Sequence, residues 1–308
     1  MSKIVLVHGI AQSRKSADTL QPRWANAVIG GVRNAGHGQQ ADQLREEQLC
    51  PQPSIRVAFY GDLFRSPGAQ GGATPEPGST ATDDLEERLA QAWLTEAARR
   101  ASDPKDMRLA QLACAQLQPS AGQQGARSLT RSAVGYLANI RGFAPVGFAF
   151  AKAFVENSLR EVSSYFTEPS LREAAQERVL NEIDDSTRLV IAHSLGTVVA
   201  FEALHRSEHP VALVTIGSPL ALKNVIYDRL VPQPPTIPTC VTAWADFVDK
   251  NDLVAVHNDL RGDFPPKPGN PDVLASTVWV DNAAQPHDHQ AYLTDPRVGQ
   301  VVVAALQL

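Results

Sequence analysis

The sequence predicts an α/β fold in which helices flank a mainly parallel central sheet. Six short apolar runs are expected to be strands, and they lie at residues 3–7, 55–60, 188–193, 211–217, 238–245 and 275–280. Most of these runs are continuously apolar, which is typical of strands buried on both faces. Helical patterns fit between them, and the repeated alternation of strand and helix favours a parallel sheet.

End signals place two of the helices. Trp24, Val28 and Val32 share one face of a helix after the first strand, and Gly36 can terminate it. Ser170 and Glu173 form a capping-box pattern that predicts the start of a helix before the third strand. Both helices therefore lie where the alternation requires them.

Length and composition limit the function classes. The 308 residues suffice for one large domain with an insertion. The formal net charge of −5 gives no electrostatic footprint for nucleic acid, so we expect no nucleic-acid partner. Three scattered cysteines predict free thiols in a reducing compartment. The apolar run after Lys3 is too short for a signal peptide, and we expect a cytoplasmic protein.

Residues 189–200 carry the most specific motif. An apolar strand leads through small residues to Ser194, and an apolar helix follows. This is the pattern of a nucleophile elbow, a turn so sharp that the serine hydroxyl is exposed at its apex. The turn needs small residues two positions before and after the serine, and Ala192 and Gly196 meet that need. We therefore expect Ser194 to be a nucleophile.

Two backbone amides are expected to bind the oxyanion that forms when a serine attacks an acyl group. One is that of Leu195, which follows the nucleophile. The other belongs to a loop after an early strand, and the turn formed by His8 and Gly9 lets its backbone approach closely. Ile10, directly after this turn, is our candidate for the second amide.

The general base should be a histidine, because its pKa is close to the working pH. Among the eight histidines, His287 and His289 lie in a loop after the last predicted strand, where this arrangement delivers its base. We prefer His289, because it begins a short helix whose first residue can lean over the strand ends. A solvated loop or a surface metal site is the alternative interpretation of this pair.

The acid should lie between the serine and the histidine in the chain, and it should orient the imidazole without taking its proton. Asp246, Asp249 and Asp252 follow the fifth predicted strand. We prefer Asp252, because the apolar pair after it can anchor the loop. Asp249 is next to Lys250 and is interpreted as a solvated turn residue, and Asp246 lies close to the strand end.

The chain resembles the lipase and esterase branch of the α/β-hydrolases. The resemblance rests on His8-Gly9 after the first strand, the elbow around Ser194, and three further motifs: Gly217-Ser218-Pro219, Asp252-Leu253-Val254, and the segment from His289 to Leu293. It covers the first strand and the chain after Arg188. It implies an α/β-hydrolase fold for residues 1–308 and a triad of Ser194, His289 and Asp252. The segment between Asp62 and Thr167 matches no pattern of the family.

That unmatched segment, residues 62–167, is predicted to be a helical cap. An amphipathic helix begins near Asp83, and residues 133–155 are apolar and glycine-rich. We expect this apolar stretch to line an acyl pocket in which Phe148 and Phe150 contact the substrate. A core hairpin and a surface-lying amphipathic element are the alternatives. Charged residues interrupt the stretch, so no membrane span is expected, and peripheral contact with a membrane stays open.

Together these features predict a serine hydrolase that cleaves carboxylic esters, with a small-molecule or lipid acyl ester as substrate. No cofactor and no metal are expected, since the serine, histidine and acid suffice for acyl transfer. Thioesterase, amidase and peptidase activities use the same residues and are the enzymatic alternatives. A binding or effector protein that keeps the fold without catalysis is the alternative from another class.

Overall fold

Parallel strands form one twisted sheet through the middle of the molecule. The computed structural model describes residues 3–65, 80–117, 126–140, 143, 148–255, 258–265, 269 and 272–307. Within these ranges the strands are β1 (Ile4–Val7), β2 (Ile55–Ala58), β3 (Leu189–His193), β4 (Val211–Ile216), β5 (Val241–Asp249) and β6 (Val278–Val280). Every pairing is parallel. The α/β class predicted from the apolar runs is therefore confirmed.

The strand order is β2-β1-β3-β4-β5-β6. The chain moves outward from β1 to β2 and then crosses back to the other side of β1, so β1 and β3 are neighbours at the point where the winding reverses. In open parallel sheets, ligands bind at the carboxyl ends of the strands beside such a reversal. The loops after β1 and β3 are the ones that the sequence motifs single out.

Helices cover both faces of the sheet, because the side chains of each strand alternate between the faces. One core forms where Ile4 and Leu6 of β1 pack with buried residues of the first and last helices. The helices on this side are α1 (Ala17–Asn34), α2 (Gly38–Glu47), α9 (His289–Thr294) and α10 (Pro296–Leu306). Val5 and Val7 point to the opposite face and its separate core.

The helices of that second face are α3 (Thr80–Arg100), α4 (Pro104–Gln116), α5 (Ala126–Leu137), α6 (Phe148–Thr167), α7 (Pro169–Leu180) and α8 (Leu195–Leu204). We call α3 to α6 the α3–α6 segment. Its buried Trp93, Val134 and Leu159 belong to one core with Val5 and Val7. The segment therefore contributes a layer of the main core. In the described ranges, no helix is both long and apolar enough to cross a bilayer.

Several predicted boundaries change. Strand β5 continues to Asp249 instead of ending at residue 245. Helix α7 begins at Pro169 with Glu168 as its N-cap and without a side-chain cap, so the capping box predicted for Ser170 and Glu173 is wrong. Gly36 follows α1 with a φ of +89°, as a terminating glycine should. The three cysteines, all within the described ranges, form no disulfide.

Candidate active site

The turn between β3 and α8 has the strained geometry that the elbow motif predicts. Ser194 has φ 55° and ψ −132°, a positive φ that few side chains adopt. A Cβ atom at Gly196 would lie 2.3 Å from the carbonyl oxygen of His8 and 2.6 Å from that of Val7. Only glycine fits there, so α8 packs directly on the end of β1.

The loop after β1 lies against the serine. A Cβ atom at Gly9 would lie 2.6 Å from Cβ of Ser194. Among the described residues, no hydrogen bond is made by the amides of Ile10 and Leu195. Leu195 is the first residue of α8, where unpaired amides and the helix dipole favour a negative charge. The two amides predicted to bind the oxyanion are thus available, and that role stays a prediction.

His8 fixes the shape of this loop. Its Nδ1 donates to the carbonyl of Gly9 at 2.8 Å, and its Nε2 accepts the amide of Tyr60 at 3.2 Å. The hydroxyl of Tyr60 in turn donates to the carbonyl of His8. Burial lowers the pKa of His8 to about 4, so its imidazole is neutral at pH 7 and can hold one donor and one acceptor at once.

His287 lies between the serine and the acid. Its Nε2 is 3.0 Å from Oγ of Ser194, and its Nδ1 is 2.8 Å from Oδ2 of Asp252. Because a carboxylate only accepts hydrogen bonds, Nδ1 carries the proton and Nε2 can accept from the serine hydroxyl. Ser194 and Asp252 are the residues that the sequence analysis preferred. The histidine between them is His287, whereas the preferred candidate was His289.

The preference for His289 is therefore corrected. Asp288 caps α9 by accepting the amide of Gln290, and the helix begins at His289. The ring of His289 stacks on Trp24 of α1, with 4.5 Å between centroids and 17° between planes. Burial lowers its pKa to about 4. The ring of His289 therefore faces α1, while His287 lies in the loop that precedes the N-cap Asp288.

Every acceptor position of the Asp252 carboxylate is used. Oδ1 accepts the amides of Val254 at 3.0 Å and Ala255 at 3.2 Å, and Oδ2 accepts from His287 and from the hydroxyl of Tyr292 at 2.9 Å. Burial alone would raise the pKa of Asp252, but the charge of His287 and these hydrogen bonds outweigh it and keep the pKa below the usual value. The fully buried Asp252 is therefore held in its ionised form.

The two other acidic candidates have different surroundings. Asp249 ends β5 fully buried and accepts the amides of Asn251 and Asn282, so its interpretation as a solvated turn residue is wrong. Asp246 lies within β5 and accepts from the hydroxyls of Thr215 and Thr277 at 2.6 and 3.0 Å. Burial raises the pKa of Asp246 to about 7. Asp252 is the carboxylate that lies 2.8 Å from the imidazole of His287.

His193 and Tyr292 support the site in ways that the motifs do not reveal. His193, the residue before the nucleophile, is buried, and its Nε2 lies 3.0 Å from the carbonyl of His287. Burial and then the charges of His287 and His289 lower its pKa well below the usual value. A neutral His193 donates to this carbonyl and fixes the backbone of His287. Tyr292 accepts the amide of Asp249 at 2.7 Å as it donates to Asp252.

Gly217, at the end of β4, leaves room for these contacts. Its φ is +56°, and a Cβ atom there would lie 2.9 Å from Oδ2 of Asp252 and 3.3 Å from Nδ1 of His287. A side chain at this position would separate the acid from the histidine. The glycine of the Gly-Ser-Pro motif is thus required by the close approach of the pair.

The surface around the serine is closed in this conformation. Ser194 is 1% exposed, and the side chain of His287 is 12% exposed, so the hydroxyl is not at an exposed apex as the elbow motif predicts. Phe148 and Phe150 are in the first turn of α6, and their side chains lie outside the described part of the structure. Their role in an acyl pocket stays a prediction.

Comparison with known proteins gives no assignment. No protein-family model, no curated protein and no solved structure matches this chain. Any statement about its function must therefore come from the residues of the site.

Proposed function

We propose that the protein is a serine hydrolase of the α/β-hydrolase fold that cleaves carboxylic esters through an acyl-enzyme. The observation that supports this proposal is the continuous chain of contacts from Oγ of Ser194 through His287 to Asp252, with distances of 3.0 and 2.8 Å. Both distances are within hydrogen-bond reach, as a nucleophile, its base and the orienting acid require.

In the proposed acylation, Oγ of Ser194 attacks the ester carbonyl while Nε2 of His287 takes the hydroxyl proton. The carbonyl oxygen becomes an oxyanion that accepts from the amides of Leu195 and Ile10. The carbon–oxygen bond to the alcohol then breaks, and His287 returns the proton to the leaving alkoxide. Water attacks the acyl-enzyme in the same way, with His287 as base, and releases the acid and the free serine.

Asp252 keeps the imidazole in the tautomer that this sequence needs. Its carboxylate accepts from Nδ1 of His287, so the lone pair of Nε2 faces the serine. When Nε2 becomes protonated, the buried carboxylate stabilises the imidazolium without taking its proton. The low pKa of Asp252 supports this role, because a protonated acid would not balance that charge.

Esters are the proposed substrates because the elbow and the acid loop resemble those of lipases and esterases. Lipid acyl esters are a narrower form of the proposal, in which the α3–α6 segment acts as a cap with Phe148 and Phe150 against the acyl chain. Each buried methylene would then contribute up to about 0.8 kcal/mol to binding. Wild-type protein should prefer medium or longer acyl chains to acetate.

A labelling experiment tests the proposal. A fluorophosphonate should modify Ser194, as located by mass spectrometry, and p-nitrophenyl esters of graded length should be hydrolysed. Ser194→Ala should remove both activities, whereas Ser207→Ala, which changes a serine beyond the C-terminal end of α8, should keep them. Thioester and amide analogues in the same screen identify the preferred bond. If wild-type protein is not labelled by the fluorophosphonate and hydrolyses none of these substrates, the proposed hydrolase activity is excluded.

The second candidate is a non-catalytic binding protein, which the burial of Ser194 favours. A serine that is 1% exposed cannot meet a substrate unless the groups around it move. The labelling rate separates the candidates, because an idle serine should react no faster with the fluorophosphonate in wild-type protein than in His287→Ala.

A further inference from the structure

The first observation concerns Arg100, the last residue of α3. Its guanidinium reaches the loop after β5 and donates to the carbonyls of Asp252 at 2.6 Å, Ala255 at 3.1 Å and Lys250 at 3.3 Å. These carbonyls come from both sides of the acid and from the acid itself. The planar guanidinium presents five donors in a rigid fork, which suits several fixed carbonyl oxygens at once better than a flexible ammonium group does.

The side chain of Arg100 also contacts a residue of its own helix. Its Nε donates to Oε2 of Glu96 at 2.6 Å, one turn earlier in α3. The side chain of Arg100 is 12% exposed, whereas that of Arg99, which pairs with the same carboxylate, is 61% exposed. The contact with Glu96 therefore helps to orient Arg100 toward the acid loop, and Arg99 provides a matched comparison.

The second observation concerns Glu161 of α6, which is 2% exposed. Its Oε2 accepts the amide of Ala11 at 2.7 Å. Ala11 follows Ile10 directly and has a φ of 60°, an uncommon conformation for a residue with a side chain. Such a conformation persists only where the surroundings hold it. Glu161 supplies that constraint from a position 150 residues away in the chain.

From these contacts we infer that the α3–α6 segment positions both halves of the catalytic site: Arg100 fixes the loop that carries Asp252, and Glu161 fixes the loop that carries Ile10. Both are positioning residues, since neither is within the chain of contacts at Ser194. The inference rests on the proposed function. It adds a role for the segment beside any contact with substrate, namely that the segment sets the alignment of acid and oxyanion loop.

The two residues should act through different partners. Arg100→Met should let the acid loop move, and a displacement of about 1 Å in such a site costs on the order of 100-fold in rate. The loss should appear in kcat and not in KM. In an Asp252→Asn background, Arg100→Met should cost little more, because its partner is already impaired. Glu161→Ala should keep its full effect in that background, since it acts on the oxyanion loop.

Conservative and matched variants exclude a general loss of stability. Glu161→Gln keeps an oxygen that can accept the amide of Ala11, so it should restore most of the kcat that Glu161→Ala loses. Arg99→Met and Glu156→Ala change exposed neighbours on the same helices and should stay within about 2-fold of wild type. Arg100→Lys and Glu161→Gln also serve where the larger change prevents folding.

The experiment measures ester hydrolysis by all variants well below their melting temperatures, together with the low-field proton resonance of Nδ1–H in His287. Arg100→Met should broaden or remove this resonance, and Glu161→Ala should leave it. An equal loss for Arg100→Met in the wild-type and Asp252→Asn backgrounds, an unchanged resonance in Arg100→Met, or no rescue by Glu161→Gln would overturn the inference. If wild type does not hydrolyse esters in a Ser194-dependent manner, the proposed function fails first and the inference with it. If wild type is active and the Arg100 and Glu161 variants hydrolyse esters as fast as the control variants, the inference is refuted and the proposed function stands.

Discussion

The hydroxyl of Tyr292 is expected to support the acid of the site, and Tyr292→Phe removes it with little change in shape. The ring is fully buried, and its hydroxyl makes two hydrogen bonds: it donates to Oδ2 of Asp252 and accepts the amide of Asp249. A bond to a charged group contributes about 1.5–3 kcal/mol, and a neutral bond about 0.5–1.5 kcal/mol. The change should therefore cost about 2–4.5 kcal/mol of stability.

This loss of stability corresponds to a lower melting temperature. An unfolding entropy of about 2.1 cal/mol/K per residue gives about 0.65 kcal/mol/K for 308 residues. Tyr292→Phe should thus lower the melting temperature by about 3–7 °C. It should also raise the pKa of Asp252, because the hydroxyl helps to hold that pKa low. Hydrolysis should therefore fall more at pH 5 than at pH 7, where the carboxylate stays ionised.

Tyr227→Phe is the matched control. The hydroxyl of Tyr227 donates at 2.6 Å to the carbonyl of Asp263, a neutral acceptor that lies outside the site. Its loss should cost about 0.5–1.5 kcal/mol and leave the pH profile unchanged. The assay combines thermal denaturation with p-nitrophenyl ester hydrolysis between pH 5 and 8. If both variants melt alike and share the wild-type pH profile, Tyr292 does not support Asp252.

Three further changes test the site and its frame. Gly9→Ala places a Cβ atom 2.6 Å from that of Ser194, and it should lower ester hydrolysis by at least about 100-fold, while an intact rate would contradict the close approach. Asp246 has a folded pKa of about 7 against 3.8 unfolded, so its contribution to stability is complete below about pH 4 and is lost as the pH rises toward 7. In Asp246→Asn, this loss of about 4 kcal/mol in unfolding free energy should be absent from melting curves recorded across that pH range. If the stabilities of wild type and variant change equally with pH, this prediction is refuted. Glu202→Leu leaves Arg172 without its buried partner, and it should lower the melting temperature by about 5–8 °C; a change below 2 °C would contradict the role of this pair.

The fold could be predicted from local signals, because parallel strands buried on both faces are continuous apolar runs. The elbow was equally local: Gly196 has no side chain because the carbonyls of Val7 and His8 at the end of β1 lie against it. The end of β5 was placed too early, since its last residues include Asp246 and Asp249, which are buried with hydrogen-bond partners from the neighbouring strand β4 and from a distant loop. Charge alone suggests a solvated loop for such residues.

The choice between the two histidines failed for a reason that the sequence does contain. Asp288 is a good N-cap residue, and a cap at that position begins the helix at His289. His289 then belongs to the helix and turns toward Trp24, while His287 remains in the loop. Arg100, Glu161 and Tyr292 had no such signal, because their partners in the loops of the site are between 40 and 155 residues away in the chain. Contacts of that range become visible only once the chain is folded.

The rate of fluorophosphonate labelling at Ser194 in His287→Ala and His289→Ala tests the central claim most directly. We expect His287→Ala to lose roughly 10⁴-fold or more, as expected when a member of a triad is removed. His289→Ala should lose less than about 10-fold, because its ring stacks on Trp24 and lies outside the chain of contacts from Ser194 to Asp252. A large loss in His289→Ala together with a near-normal rate in His287→Ala would contradict the assignment of His287 as the base.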